Sequence, residues 1–207
     1  GYESDSRNIK LILMRDPLLA GRAAWDEFQS RTVATGDLPW RQHAKNTIWS
    51  DTDDACLRNY LSQYYQITGK QVIDDALAEV THINTIHPVR EYLDSLVWDG
   101  TERLGRLYVD FLGAEDTEYT HALTITHAKA AVRRIYEPGC KFDNVLVLQG
   151  PQGIGKSTII RQMMGPWVND SIGDITGKDA MEGLKGSSAW NGGKINSPTA
   201  PVTANIK

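Results

Sequence analysis

The residues with the clearest chemistry lie between Gly150 and Ser157, where the sequence reads GPQGIGKS. This segment satisfies the pattern G-x-x-x-x-G-K-[ST], which is typical of a loop that binds phosphate groups. Gly150, Gly153 and Gly155 allow backbone angles closed to other residues, so successive N–H groups can turn towards an anion. In such a loop Lys156 would reach the β- and γ-phosphates of a nucleotide, and the Ser157 hydroxyl would ligate Mg²⁺.

The segments on either side of this loop are those that the motif requires. The apolar run 145–148 (VLVL) predicts a strand that is buried on both faces of a parallel sheet. Residues 157–164 predict a helix, and its N-terminus adds partial positive charge to the same site. We therefore predict binding of ATP and Mg²⁺, with Ser157 as the protein's metal ligand. The candidate nucleotide-binding residues are Gly150, Pro151, Gln152, Gly153, Ile154, Gly155, Lys156, Ser157 and Thr158.

Composition places the chain among ordinary globular proteins. It has 207 residues, of which 41% are hydrophobic and 23% charged, and a net charge of −4. The negative charge gives no overall attraction to nucleic acid, so any contact with DNA would be local. Cys56 and Cys140 lack metal-ligand spacing, which favours two reduced thiols in a cytoplasmic protein. No apolar run is long enough to predict a membrane span, and the polar, charged residues 1–10 predict no signal peptide.

The fold class predicted is α/β, with a mainly helical N-terminal region followed by a partial P-loop NTPase core built on a parallel sheet. Residues 1–50 are poorly defined, and the run KLILM within them fits either a strand or a helical turn. Residues 51–140 form the helical region, 141–186 the partial core and 187–207 an irregular tail. The apolar spacing predicts helices that begin near Asp51, Gln71, Pro88, Leu104 and Asp116.

Several sequence islands occur together and in order. They are DLPW at 37–40, WSDTDDACLRNYL at 49–61, HPVREYLDSLVWDGTERL at 87–104, FLGAEDTEY at 111–119, RIYEPGCKFDNVLVLQGPQGIGKST at 134–158 and KDAMEGLKG at 178–186. This series resembles the virulence-associated protein E family of phage and prophage P-loop ATPases, which are related to superfamily 3 replicative helicases. The resemblance implies ATP and Mg²⁺ as ligands, single-stranded DNA as a partner, a ring-shaped homo-oligomer and no membrane association.

The sequence departs from that family where a second acidic strand, the Walker B element, is expected. After LKG the chain continues SSAWNGGKI, its last acidic residue is Glu182 and its last arginine is Arg161. An arginine finger contributes about 10³–10⁵ in rate to phosphoryl transfer, so we expect a module that binds ATP but lacks a complete hydrolytic site. The acids that could substitute are Asp170, Asp174, Asp179 and Glu182.

Three other functions stay open at this point. A working DNA-dependent ATPase or helicase could obtain its missing groups from another subunit. A non-enzymatic module could bind a protein partner through its helices at 51–136. A small-molecule kinase shares the loop, but such enzymes use basic residues that this chain lacks after Arg161.

Some further residue sets have both a functional and a structural interpretation. A metal site at His82 and His87 is less favoured than helix-end packing, because the spacing fits no familiar site. A basic strip formed by Lys129 and residues 132–134 could touch DNA phosphates or form a solvated helical face. The tryptophans could stack on bases but fit core positions better; they include Trp25, Trp40, Trp49 and Trp98.

Overall fold

The computed structural model describes residues 5–144, 146–169, 189–190 and 202–205. The chain is α/β and divides into two compact units, Gly1–Pro88 and Val89–Lys207. The first unit thus contains the whole predicted N-terminal segment, residues 1–50, and the first two helices of the predicted helical region.

The first unit joins three helices to a small antiparallel sheet within its described residues. The elements are α1 (Ser6–Arg15), β1 (Ala23–Asp26), β2 (Arg31–Ala34), β3 (Thr47–Ile48), α2 (Asp51–Tyr65) and α3 (Lys70–Ile83). The sheet order is β1-β2-β3, with Ala24 opposite Val33 and Val33 opposite Ile48. The run KLILM lies inside α1, where Ile9, Ile12 and Leu13 are buried at helical spacing.

Two buried carboxylates, Asp16 and Asp53, accept hydrogen bonds that join parts of this unit. Asp16 accepts hydrogen bonds from the hydroxyls of Tyr60 (2.9 Å) and Tyr65 (2.6 Å). Asp53 closes a capping box with Ser50 at the start of α2, which satisfies backbone donors that a helix N-terminus otherwise leaves exposed. Burial raises the pKa of both carboxyls, but these hydrogen bonds outweigh it and leave each pKa below its usual value.

The second unit is also α/β. Its elements are α4 (Pro88–Ser95, which begins at the boundary), a 3₁₀ turn (Leu104–Arg106), α5 (Leu107–Leu112), α6 (Glu118–Tyr136), β4 (Leu146–Gln149), α7 (Lys156–Met164), a second 3₁₀ turn (Gly165–Trp167), β5 (Val168–Asn169), β6 (Ala189–Trp190) and β7 (Val202–Asn205). The predicted helices near Asp51, Gln71, Pro88, Leu104 and Asp116 are confirmed to within two or three residues. Gly113 ends α5 in the left-handed conformation, with φ of 68°.

Two predictions about strands are wrong in part. The strand at 145–148 was expected to be buried on both faces, but Val147 is 38% exposed while Leu146 and Leu148 pack against a core cluster. β4 therefore has one covered face. The tail 187–207 was expected to be irregular, yet β7 pairs in parallel with β4, and β6 pairs in parallel with β5.

The physical reason for the second correction lies in backbone pairing. The composition of the tail, rich in Ser, Thr, Asn and Pro, predicts coil, but β4 offers a full row of backbone donors and acceptors. Val202 lies opposite Leu146 and Asn205 opposite Gln149. Pairing with an existing strand thus outweighs the weak local preference of these residues.

Candidate functional site

The phosphate-loop sequence occupies the predicted place between a strand and a helix. β4 ends at Gln149 and α7 begins at Lys156, so the strand–loop–helix order is confirmed. Gly153 has φ of 87° and Gly155 has φ of 94°, a region that residues with a Cβ rarely adopt. The glycines at these two positions are therefore required by the path of the backbone.

The ammonium of Lys156 lies over the loop that precedes it. Its Nζ donates to the carbonyl oxygen of Gly150 at 2.9 Å and to that of Pro151 at 2.6 Å. The side chain is half-buried. The lysine side chain therefore folds back onto the loop, where it would meet the phosphate groups of a bound nucleotide.

The N-terminus of α7 points its backbone donors at the same place. The N-cap is Gly155, which has no side chain to bind the N–H groups of the first helical turn. Ser157 and Thr158 lie in that turn and are exposed. Together with the helix dipole, this arrangement favours an anion.

A hydrophobic platform beneath the loop sets its position. Tyr108, Leu112 and Ile159 are buried together, and Ile154 of the loop packs against them. A Cβ built on Gly155 would lie 3.9 Å from Cδ2 of Leu112. Helix α5 is thus a direct support of the loop, a role that the motif alone did not reveal.

The candidate residues do not all face the same way. Pro151, Gln152 and Gly153 are exposed, whereas Ile154 contributes to the buried cluster. Ile154 therefore anchors the loop, and contact with a phosphate would fall to the loop backbone, Lys156 and the first turn of α7. The binding roles of all nine residues stay predictions.

Tyr108 of the platform has a polar neighbour on α6. The Tyr108 hydroxyl lies 3.5 Å from Nδ1 of His127 on α6. Burial lowers the pKa of His127 and raises the pKa of Tyr108 to about 12. Tyr108 is therefore neutral near pH 7, and the lowered pKa of His127 favours its neutral form.

The other sequence candidates fall outside this site. Asp170, Asp174, Asp179 and Glu182 lie outside the described residues. Among the residues described, no group of three or more His, Cys, Asp or Glu side chains could hold a metal ion. His82 stacks on Trp25 with ring centroids 5.1 Å apart, and His87 lies against Phe28, which fits packing rather than metal binding.

The basic strip on α6 is partly engaged within the protein. Arg133 pairs with Glu137 at 2.7 Å, and Arg134 donates to the Phe142 carbonyl at 3.0 Å, while Lys129 is exposed. Among the tryptophans considered for base stacking, Trp40 and Trp49 pack against the core of the first unit.

Comparison with protein families decides the assignment of the chain. The profile of the virulence-associated protein E-like domain matches residues 93–205, which is more than half of the chain. The chain belongs to the virulence-associated protein E-like family. The matched region contains α5, α6, the glycine loop and β7, so the resemblance seen in the sequence is confirmed, although the islands at 37–61 lie outside the match.

Two further findings complete the description of the chain. A search among curated proteins gives no match. In the part of the chain that the structure describes, no helix has both the length and the apolar character needed to cross a membrane.

Proposed function

We propose that this virulence-associated protein E-like protein binds ATP with Mg²⁺ at the loop 150–157. The observation that carries the proposal is the position of Lys156, whose ammonium lies over the loop carbonyls at the start of α7. A lysine, a helix N-terminus and two left-handed glycines lie together within residues 153–156. These are the components that bind the phosphates of a nucleotide.

Each component has a distinct role in this proposal. Backbone N–H groups of the loop and of the first turn of α7 bind the phosphate oxygens. Lys156 neutralises charge on the β- and γ-phosphates, and the Ser157 hydroxyl ligates Mg²⁺. The platform formed by Leu112 and Tyr108 keeps the loop in this conformation before the ligand arrives, which lowers the entropic cost of binding.

We further propose that β4, its parallel neighbour β7 and α7 belong to a partial P-loop core of a phage or mobile-element replication ATPase. The parallel pairing of Leu146–Gln149 with Val202–Asn205 supports this interpretation. Single-stranded DNA and a ring of identical subunits are the partners that the family resemblance suggests. Residues 183–207 contain no acid or arginine, so they supply neither a Walker B carboxylate nor an arginine finger.

The experiment that tests the proposal compares the wild-type protein with Ser157→Ala. Equilibrium dialysis with labelled ATP measures affinity with and without Mg²⁺, and phosphate release is followed in the same samples. We expect Mg²⁺ to tighten binding by the wild type only, with no steady release of phosphate. If neither protein bound ATP, the proposal would be contradicted. Steady release of phosphate by the wild type would favour a complete ATPase.

A further inference from the structure

Arg22 is a charged residue whose guanidinium has no partner within the described part of the chain. It stands directly before strand β1 in the first unit, and the residue as a whole is half-buried. Its Nε atom is fully buried and makes no hydrogen bond. Among the described residues, no carboxylate or carbonyl oxygen pairs with the rest of the guanidinium either.

The other half-buried basic side chains show that Arg22 is an exception. Arg41 lies 3.2 Å from the carboxylate of Asp53, and Arg58 lies 3.3 Å from that of Asp74. Each remaining half-buried lysine or arginine in the described residues also meets an oxygen atom. These pairs are Lys10 with Glu79, Arg31 with the Gln29 carbonyl, Arg90 with the Ile135 carbonyl and Lys156 with the carbonyls of Gly150 and Pro151.

Gly36 leaves the space in which the Arg22 guanidinium lies. Gly36 is buried, and a Cβ built on it would overlap Nη1 of Arg22 and lie 3.3 Å from its Cζ. The backbone of Gly36 is not in the left-handed region. A glycine is therefore needed here to make room for the guanidinium, since the path of the chain does not require one.

Backbone hydrogen bonds hold the residue from which this side chain extends. The N–H of Arg22 donates to the carbonyl of Leu19 at 3.0 Å, and the carbonyl of Arg22 accepts from the N–H of Thr35 at 3.0 Å. Thr35 directly precedes Gly36, so the same bond fixes the surface on which the guanidinium lies. A group held in this way loses little freedom when it binds a ligand.

The chemistry of the guanidinium defines the partner that it lacks. Arginine stays protonated at physiological pH, and removing a charge from water without a partner is costly. The N–H groups form a planar fork that fits two oxygens of a carboxylate or a phosphate. An oxyanion would therefore satisfy both the charge and the donors.

We propose that the first unit contains an oxyanion-binding site, in which the Arg22 guanidinium, held against Gly36, binds the anion. The ligand is a small molecule or ion that carries a carboxylate or a phosphate group. The proposal goes beyond nucleotide binding and does not depend on it, because the phosphate loop belongs to the second unit.

The test titrates the full chain with inorganic phosphate and, separately, with acetate at constant ionic strength. The backbone amide signals of Gly21 and Thr35, followed by NMR, report on the surroundings of Arg22. These signals measure an affinity at this site alone, so phosphate that binds elsewhere on the chain does not enter the result.

Two variants and a control are compared with the wild type. Arg22→Gln removes the charge. Gly36→Ala keeps the arginine but displaces the end of its flexible side chain, so it tests the site even if Arg22→Gln fails to fold. The matched control is Arg15→Gln, which removes an exposed arginine of α1.

We expect phosphate, acetate or both to shift the two amide signals of the wild type to saturation. Both variants should bind the anion about ten- to a hundredfold more weakly, the range expected for the loss of a hydrogen bond to a charged group. Arg15→Gln should bind as the wild type does. Saturation by phosphate alone would assign phosphate chemistry to the site, and saturation by acetate alone would assign carboxylate chemistry.

Three results would overturn the proposal. The first is the lack of saturation with either anion, and the second is equal affinity in the wild type and Arg22→Gln. The third is loss of the response in Lys156→Ala, because the signals would then report on the phosphate loop. A response that persists in Lys156→Ala supports a separate site, whether or not that variant binds ATP.

Discussion

The Nζ atom of Lys156 lies 2.9 Å from the carbonyl oxygen of Gly150, at the opposite end of the glycine loop. This hydrogen bond holds the ammonium against the first residue of the loop. A phosphate entering the loop would replace a neutral carbonyl by an anionic oxygen, which is a stronger acceptor for an ammonium. The same side chain thus stabilises the loop in the free protein and, in the proposed function, would contact the bound phosphate.

The left-handed conformation of Gly155 leads to a prediction about loop geometry. Gly155→Ala should cost about 1–3 kcal/mol of unfolding free energy, because a residue with a Cβ is strained at φ of 94°. The added methyl group meets Leu112 at an ordinary 3.9 Å, so the cost comes from the backbone. Relaxation of this strain should also weaken ATP binding, which calorimetry would measure.

Gly139→Ala is the matched control, since Gly139 has φ of 84° and open space around it. It should lower stability similarly and leave ATP affinity unchanged. Equal ATP affinity in Gly155→Ala and the wild type would show that the loop conformation is not needed for binding.

The half-buried position of His127 on α6 predicts a dependence of stability on pH. Burial lowers its pKa below the ordinary value of 6.5, so the unfolded chain binds this proton more readily than the folded one. Stability should therefore fall as pH decreases through 6.5 towards the folded pKa. His127→Gln should flatten this dependence in urea unfolding measured between pH 5.5 and 7.5.

An NMR titration would measure the pKa of His127 in the folded protein directly. The signal of His127 is identified by its absence from the His127→Gln spectrum. A titration midpoint for His127 above 6.5 would contradict the buried, neutral imidazole.

The hydrogen bond of the Trp40 indole is expected to stabilise the first unit. Its Nε1 donates to the Asp53 carboxylate at 3.0 Å, and Asp53 is only 2% exposed. Trp40→Phe should lower the free energy of unfolding by about 1.5–3 kcal/mol, the usual contribution of a hydrogen bond to a charged group. Trp98→Phe, at a site that is 73% exposed, should change it by less than about 0.5 kcal/mol.

Urea unfolding of the three proteins would measure both changes. A Trp40→Phe protein as stable as the wild type would mean that Arg41, which lies 3.2 Å from the same carboxylate, satisfies Asp53 without the indole.

The helices could be predicted from the sequence because their apolar residues recur at three- and four-residue spacing. Leu57 and Leu61 of α2 and Ile73 and Leu77 of α3 follow this rule, and all four are buried. The short strands could not be predicted in the same way. β1 and β2 have four residues each, too few to show a clear alternation.

For the candidate site too, local sequence features could be predicted and non-local contacts could not. The loop could be predicted because its glycines, lysine and serine are adjacent in the chain and their spacing follows from phosphate geometry. Its support could not, since Leu112 is distant in sequence from Gly155 and meets it only in the folded structure. The parallel partner of β4 was missed for a related reason, because pairing with Leu146–Gln149 is a non-local contact.

The most direct test of the central claim is calorimetry of ATP with Mg²⁺, on the wild type, Lys156→Ala and Lys129→Ala. Lys129 is an exposed lysine of α6 outside the loop, so its removal controls for the change in net charge. We predict that the wild type and Lys129→Ala bind ATP and that Lys156→Ala does not. Equal binding by all three proteins, or by none, would contradict a nucleotide site built around Lys156.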